Sequence, residues 1–293
     1  MSPMPTFSFD TVTPSTLRAY HDLNATRDTF QLLQDRLREG RLTYDQLFLL
    51  RSRRGPEAAV MIGGGPVIMP RVRFDAPVEA SRFLAAEVLS RTDRRRQRLV
   101  LDSLIAPLAV EAFEEAGWCV AHHSVLYRTD LTVHQGALDG AVQERPIADV
   151  RSGELASLFE DLVAADGAIG DTGSADPQEA LQDELDTEGC RLFVLVDELT
   201  VLAAATLRIG PRGEAQVHML GVRPASRGRG IGRRLHAHVL AMASEVTRVH
   251  MGVTDASNAA MWRIITRNGA ERTSEQFQLR PVDPDCGGIG AAH

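Results

Sequence analysis

Lysine is absent: all 32 basic residues of the 293 are arginine. Such a chain cannot be modified on a lysine of its own. Nor can it supply the Gly-Lys-Ser/Thr of a nucleotide-triphosphate P-loop. Cysteine is scarce, and Cys119, Cys190 and Cys286 form neither a CxxC pair nor a metal-ligand spacing. That pattern predicts no disulfide framework and no metal, and it suits a reduced, cytoplasmic compartment. No apolar run approaches the ~18–20 residues of a membrane span. The opening MSPMPTFSFD lacks the basic-then-apolar order of a secretion signal, so no membrane partner is expected. Positive charge is not in excess either. A net charge of −7 argues against a nucleic-acid binder that works by neutralising phosphates, and Arg94–Arg96 reads as a solvated turn.

What is present suffices for ordinary cores: 44% of the residues are apolar, and 293 residues suit two domains of about 150. Self-similarity supports that division. A shift of 152 residues, carrying Arg98 onto His250, lays RLVLDSLIAPLAVEAFEEAGWCVAHHSVLYR over HMGVTDASNAAMWRIITRNGAERTSEQFQLR. Both read as an apolar strand, a turn, a helix, a glycine (Gly117, Gly269) and a closing strand. At the same shift SRFLAAEVLSR falls on RRLHAHVLAMA, another helix. The polar stretch Arg128–Pro146, with Gly136 and Gly140, reads as the linker. The expected domains are therefore 1–135 and 136–281, with 282–293 as a proline- and glycine-rich tail.

Within the second domain the pattern predicts a helix from about Ser152, a loop, a second helix, and two strands around a tight Asp197-Glu198 turn. A third strand, EAQVHMLGV, then runs into VRPASRGRGIGRRL, with three glycines and five arginines in fourteen residues. A glycine-rich turn between a strand and a helix is an anion site, because free amides and the positive helix end point the same way. The dinucleotide fingerprint GxGxxG fails here: Gly228 and Gly230 place Arg233 where the third glycine belongs, and Gly232 comes one position early. The pattern Arg/Gln-x-x-Gly-x-Gly fits, through Arg227, Gly230 and Gly232, with Val222 and Pro224 supplying a Val-x-Pro upstream.

That loop resembles the coenzyme A pyrophosphate loop of the GNAT superfamily of N-acetyltransferases, and the resemblance runs from about Val142 to Arg280. Asn258, Met261 and Gly269 resemble the family's second motif, with Ala270 where an aromatic is usual. The resemblance implies an α/β (α+β) fold of two tandem GNAT-like domains, each a mixed, mostly antiparallel twisted sheet flanked by helices. It implies acetyl-CoA as cofactor. Carried over by position, Leu220, Gly221 and Val222 face the pantetheine and acetyl group. Gly228, Arg229, Gly230, Ile231 and Gly232 cradle the diphosphate, with Arg227, Arg229, Arg233 and Arg234 supplying charge. Asn258 bonds the pantetheine arm. At the corresponding place the first domain reads RVRFDAPVEASR, without glycine and with Asp75 and Glu79, which would repel a pyrophosphate. Residues 1–135 therefore read as a degenerate copy lacking its own cofactor loop.

The resemblance further implies acetyl transfer to a free amine, which requires a proton acceptor. His218 is the first candidate, because strand parity puts it on the face of Leu220 and Val222 and an imidazole titrates near neutrality. Glu214 and His250 are weaker candidates, and Ser257 and Thr254 read as turn residues. The tyrosine that often protonates the leaving thiolate is missing: Ile265 holds its place, and Tyr20, Tyr44 and Tyr127 all lie in the first copy. From Ser152 to Cys190 the chain carries eleven acids and neither Lys nor Arg, so a small cationic amine is the expected partner. DGAIGDTGSADP, Asp166–Pro177, reads as the substrate loop, and the protein as a monomer or homodimer. Two alternatives stand beside this reading. One is acetylation in thiol biosynthesis, as in the mycothiol synthases, which are tandem members with one degenerate half. The other is an acyl-CoA sensor without turnover.

Overall fold

Alternation along single strands builds both cores. In a computed structural model, residues 6–23, 30–63, 65–94, 96–133, 136, 138–151, 153–166, 189–210 and 212–282 are described. They divide into two units, Met1–Ser124 with Ser274–His293, and Val125–Thr273. No helix among the described residues is long and apolar enough to cross a membrane.

The first unit runs β1 (Ser8–Thr11), α1 (Leu17–Leu23), α2 (Phe30–Arg38), β2 (Leu47–Ser52), β3 (Gly55–Met61), β4 (Val67–Ile68), β5 (Arg71–Val72), α3 (Val78–Arg91), β6 (Arg98–Asp102) and α4 (Val110–Glu115). Next comes β7 (Trp118–Asp130), whose residues are divided between the two units at Ser124. In the antiparallel β1-β2-β3-β5 sheet, side chains one residue apart serve opposite cores. Leu50, Ala58 and Val60 pack with Leu84 and Val88 of α3, while Leu47, Leu49 and Ala59 pack with Leu17 and Tyr20 of α1. The indole of buried Trp118 donates to the Ala85 carbonyl at 3.1 Å.

The second unit continues with β8 (Val142–Arg145), α5 (Gly153–Asp166), β9 (Arg191–Asp197), β10 (Thr200–Ile209), β11 (Ala215–Val222), α6 (Ile231–Ser244), β12 (Val249–Asp255) and α7 (Ala259–Arg267), and β13 (Glu271–Pro281) passes from it into the first unit at Ser274. The expected hairpin is present: Asp197 pairs with Thr200, and Glu198 takes a left-handed φ of 53°. Along β10, Ala203 and Ala205 pack with Leu235 and Val239 of α6, whereas Ala204 packs with Leu158 and Leu162 of α5. These alanines are fully buried, so a helix approaches each face of the sheet closely.

Part of the repeat recurs, from α3 to β7. Shifted by 152, β6 lands within β12, α4 within α7, and β7 on β13. The connection from β5 to α3, residues 73–77, is three residues shorter than its counterpart from β11 to α6, residues 223–230. The boundary expected at 135/136 does not match the units found. The division falls at Ser124, inside a strand that runs on to Asp130, into the start of the stretch read as linker. The C-terminal strand also returns: Gln276–Leu279 of β13 pair antiparallel with Leu99–Asp102 of β6, in the first unit. Glycine composition marked a linker, but pairing distant in sequence set the boundary.

Two contacts of the second unit yield measurable consequences. A Cβ built on Gly221 would lie 2.2 Å from Leu162 Cδ1, whose side chain is itself buried, so α5 closes onto β11 through that glycine. Gly221→Ala should cost about 1–3 kcal/mol by overpacking, read as a lower denaturation midpoint. Adding Leu162→Ala should make the two effects less than additive in a double-mutant cycle. The second contact is His238, buried on α6, whose Nδ1 accepts the Asp139 amide at 2.9 Å. Burial lowers its pKa, against a smaller opposing pull from the Asp139 carboxylate. Between the folded value and the ordinary ~6.5 the unfolded chain binds more protons. This contribution to stability is therefore complete above ~6.5 and is lost as pH falls. The melting temperature should decline from about pH 7 to pH 5, and His238→Asn, which keeps an acceptor without the titration, should flatten that decline.

Candidate functional site

One residue of β10 faces two of β11. Leu207 pairs with Val217 and Ala205 with Leu220, so Thr206 alone stands opposite His218 and Met219. The result is a β-bulge. Buried Thr206 sustains it by accepting the Met219 amide at 3.1 Å on its hydroxyl. On its other edge β11 pairs in parallel with β12 at Ala215–His250 and Gln216–Met251, while its pairing with β10 continues to Val222. Past Gln216 the two parallel neighbours part.

The bulge overturns the parity expected for His218. Leu220 and Val222 pack against the core beneath α6, and both approach the Cβ position of Gly232. His218 is exposed, with Nε2 2.9 Å from Gln216 Oε1. Period-two alternation assumes an uninterrupted pleat, and the extra residue resets the faces. The side chains of Leu220 and Val222 thus serve the core, and Gly221 the approach of α5. What these three residues offer a ligand is backbone.

The glycine loop opens where β11 ends. Gly228 and Gly230 have φ of 78° and 79°, values that other residues adopt only with strain, and nothing lies within 4 Å of their Cβ positions. Gly230 is the N-cap of α6, and the first helix-closing bond runs from the Arg234 amide to the Gly230 carbonyl at 3.1 Å. The amides of Ile231, Gly232 and Arg233 therefore lack intrahelical acceptors at the positive end of the helix. Gly232 has another reason to be glycine. A Cβ there would lie 2.9 Å from Ile264 Cδ1 and 3.1 Å from Val222 Cγ2, so it lets α6 settle on its neighbours. The Ile231 side chain is buried in the core.

The arginines divide between two duties. Arg229 and Arg233 are exposed beside the loop. Arg227 donates from Nε to the Val222 carbonyl at 3.1 Å. Arg234, expected at the diphosphate, instead holds Asp139 Oδ2 through Nε and Nη2 at 2.9 Å each, and the bond keeps that carboxyl below the ordinary range. Arg223, which sequence reasoning passed over, donates to the Val201 carbonyl at 3.1 Å and pairs with Asp161 and, at 3.5 Å, with Glu154. Two of the eleven acids are thereby answered from outside their segment. Of the loop expected at Asp166–Pro177, Asp166 ends α5; residues 167–177 and the acids from Asp171 to Glu188 lie outside the described residues.

Other candidate residues have structural partners. Asn258 is the N-cap of α7, where its side chain accepts the Met261 amide at 2.9 Å. His250 is buried, with Nδ1 3.1 Å from the Thr129 hydroxyl and its ring edge-on to His236, so it is a core residue. Ile265 is buried with Val125, Tyr127 and Ala270, leaving no ionisable group at the usual tyrosine position. Glu214 accepts from Gln216 Nε2 at 2.9 Å, and Gln216 in turn accepts from Arg208 at 3.1 Å. Sequence reasoning missed Thr206, Gln216 and Arg208. The one visible signal was a lone threonine in the run VLAAATL.

In the first unit the corresponding loop carries its own anion. Asp75 receives Arg73 Nε at 2.5 Å and Arg54 Nη2 at 2.8 Å, and these bonds, Arg73 foremost, hold its carboxyl below the ordinary range.

Comparison with known proteins agrees with this geometry. The pattern of the acetyltransferase (GNAT) family matches residues 156–270, within the second unit. The sequence matches no curated protein. Among solved structures, a GCN5-related N-acetyltransferase from Sphaerobacter thermophilus is similar at 17% identity and a TM-score of 0.57, over 94% of this chain and 97% of that one. A GNAT-family acetyltransferase from Colwellia psychrerythraea gives 13% and 0.50, over 94% and 99%. A GCN5-related N-acetyltransferase from Kribbella flavida gives 12% and 0.50, over 78% and 88%. At these identities the structures speak to fold, and the family pattern speaks to residues 156–270. Residues 156–270 thus match the GNAT acetyltransferases, a family of acyltransferases.

Proposed function

We propose that the second unit binds acetyl-CoA and transfers its acetyl group directly to a primary amine of a small cationic molecule. The observation that carries this reading is the loop at 228–232. Two positive-φ glycines with open space at their Cβ positions lead into a helix start whose amides lack intrahelical acceptors. That set fits an anionic diphosphate, with exposed Arg229 and Arg233 able to add charge-assisted bonds. Gly221 and Val222 offer backbone where β11 has left β12. Bound acetyl-CoA supplies an acetyl group activated as a thioester.

The remaining task falls to this chain's residues. At neutral pH the amine arrives as a cation and must lose a proton before its nitrogen can attack the carbonyl carbon. His218, exposed on the bulge, takes that proton. The carbon–sulfur bond then breaks as the carbon–nitrogen bond is completed. Overall a thioester becomes an amide, and a thiol and a proton are released. With Ile265 at the usual tyrosine position, the leaving thiolate departs without an acid from α7. A cationic acceptor suits a chain of net charge −7 whose segment 152–190 contains no basic residue. The compartment that suits this reading is the cytoplasm.

Calorimetric titration with acetyl-CoA should give one site per chain, because the first unit's loop is short and its Asp75 is already held by two arginines. Gly230→Asp should abolish that site. Two sites per chain, or binding that survives the substitution, would contradict the assignment. Thiol release from acetyl-CoA with a panel of primary amines tests turnover, and its absence with every amine would leave a coenzyme A binder. His218→Ala should lower turnover roughly 10²–10⁴-fold with acetyl-CoA affinity nearly unchanged, and His218→Gln should be about as slow. Recovery of most activity by glutamine would reduce His218 to a spacer.

A further inference from the structure

On β11 the bulge leaves His218 bonded to a side chain two residues earlier, and that side chain is gripped at both ends. Gln216 Oε1 lies 2.9 Å from His218 Nε2 and accepts from Arg208 Nη2 at 3.1 Å. Its amide nitrogen donates to Glu214 Oε1 at 2.9 Å. A carboxamide has one accepting end and one donating end. Turned the other way, this one would set its NH₂ against a guanidinium and its oxygen against a carboxylate. The two charged neighbours thus dictate its orientation. Glu214 is itself firmly seated: a Cβ on Gly210 would fall 2.6 Å from its Oε1, and its Oε2 is buried. The histidine therefore meets the accepting end, and its Nε2 must carry the hydrogen. In the neutral ring the lone pair then belongs to Nδ1.

We propose that Gln216 is the positioning residue of the site: it fixes His218 as the Nε2–H tautomer, so that the substrate's proton is received at Nδ1. Arg208 and Glu214 act through Gln216, and Glu214 serves as the outer anchor of a three-residue chain along the strand. The second half of the proposal rests on His218 as the base; the first half does not.

The test separates the two. Nitrogen-15 correlation spectra of the neutral His218 ring, in full-length protein with acetyl-CoA, should show the Nε2-protonated pattern. Gln216→Leu removes the acceptor and should turn that pattern into a mixture of tautomers. It should also lower kcat about tenfold while leaving KM for acetyl-CoA near its original value. Gln216→Glu keeps an acceptor but adds a negative charge beside the ring. It should move the acid limb of kcat/KM to higher pH. An Nδ1-protonated ring in the unaltered protein, or a tautomer indifferent to Gln216→Leu, overturns the positioning role. If the tautomer behaves as stated while His218→Ala remains active, the positioning holds and the assignment of His218 as base fails.

Discussion

Thr206 opposite two residues is the constraint on which the second unit's site depends. Without an acceptor there, the Met219 amide would be buried unpaired, at a cost of about 1–3 kcal/mol. With it, β11 carries one residue more than β10 allows, and its later side chains change faces. Gln216 and His218 are left bonded to each other, while Leu220 and Val222 turn to the core. Gly221 then meets α5, and the strand delivers the chain to the glycine loop. The placements beyond Met219 would each differ by one residue in a regular ladder.

A chain with no lysine must use arginine for both binding and bracing. Arginine suits the second task, because a planar fork with five donors can hold several oxygens together. Arg223 holds a strand carbonyl and two carboxylates of α5, and Arg234 holds Asp139. Arg208 braces a carboxamide rather than an acid. The density of arginine around the loop is therefore a poor measure of how many guanidinium groups await an anion. Those left exposed beside it, Arg229 and Arg233, are the better guide.

From β9 onward the order of elements was legible, because hydrophobic spacing and turn residues are local; the second helix expected before β9 lies outside the described residues. The repeat at 152 residues was legible for the same reason, as were the glycine loop and the tight turn at Glu198. The facing of His218 was not. Parity counts residues along one strand, whereas a bulge is a mismatch between two. The cap that Asn258 gives the Met261 amide is local, since it spans only three residues. Arg234 looked like a phosphate ligand until Asp139, far upstream, was seen against it. The domain boundary was hidden most deeply, because composition around Gly136 carries no trace of which strand will pair with Leu99–Asp102.

That pairing bears on the order in which the protein can be finished. A ribosome releases β6 of the first unit early, yet its partner at Gln276–Leu279 is made only after the whole second unit. Until then the edge of β6 has exposed backbone groups, a template for unwanted strands. The second unit, by contrast, ends at Thr273 and is complete before its predecessor. In this chain the half synthesised first is the half that must wait.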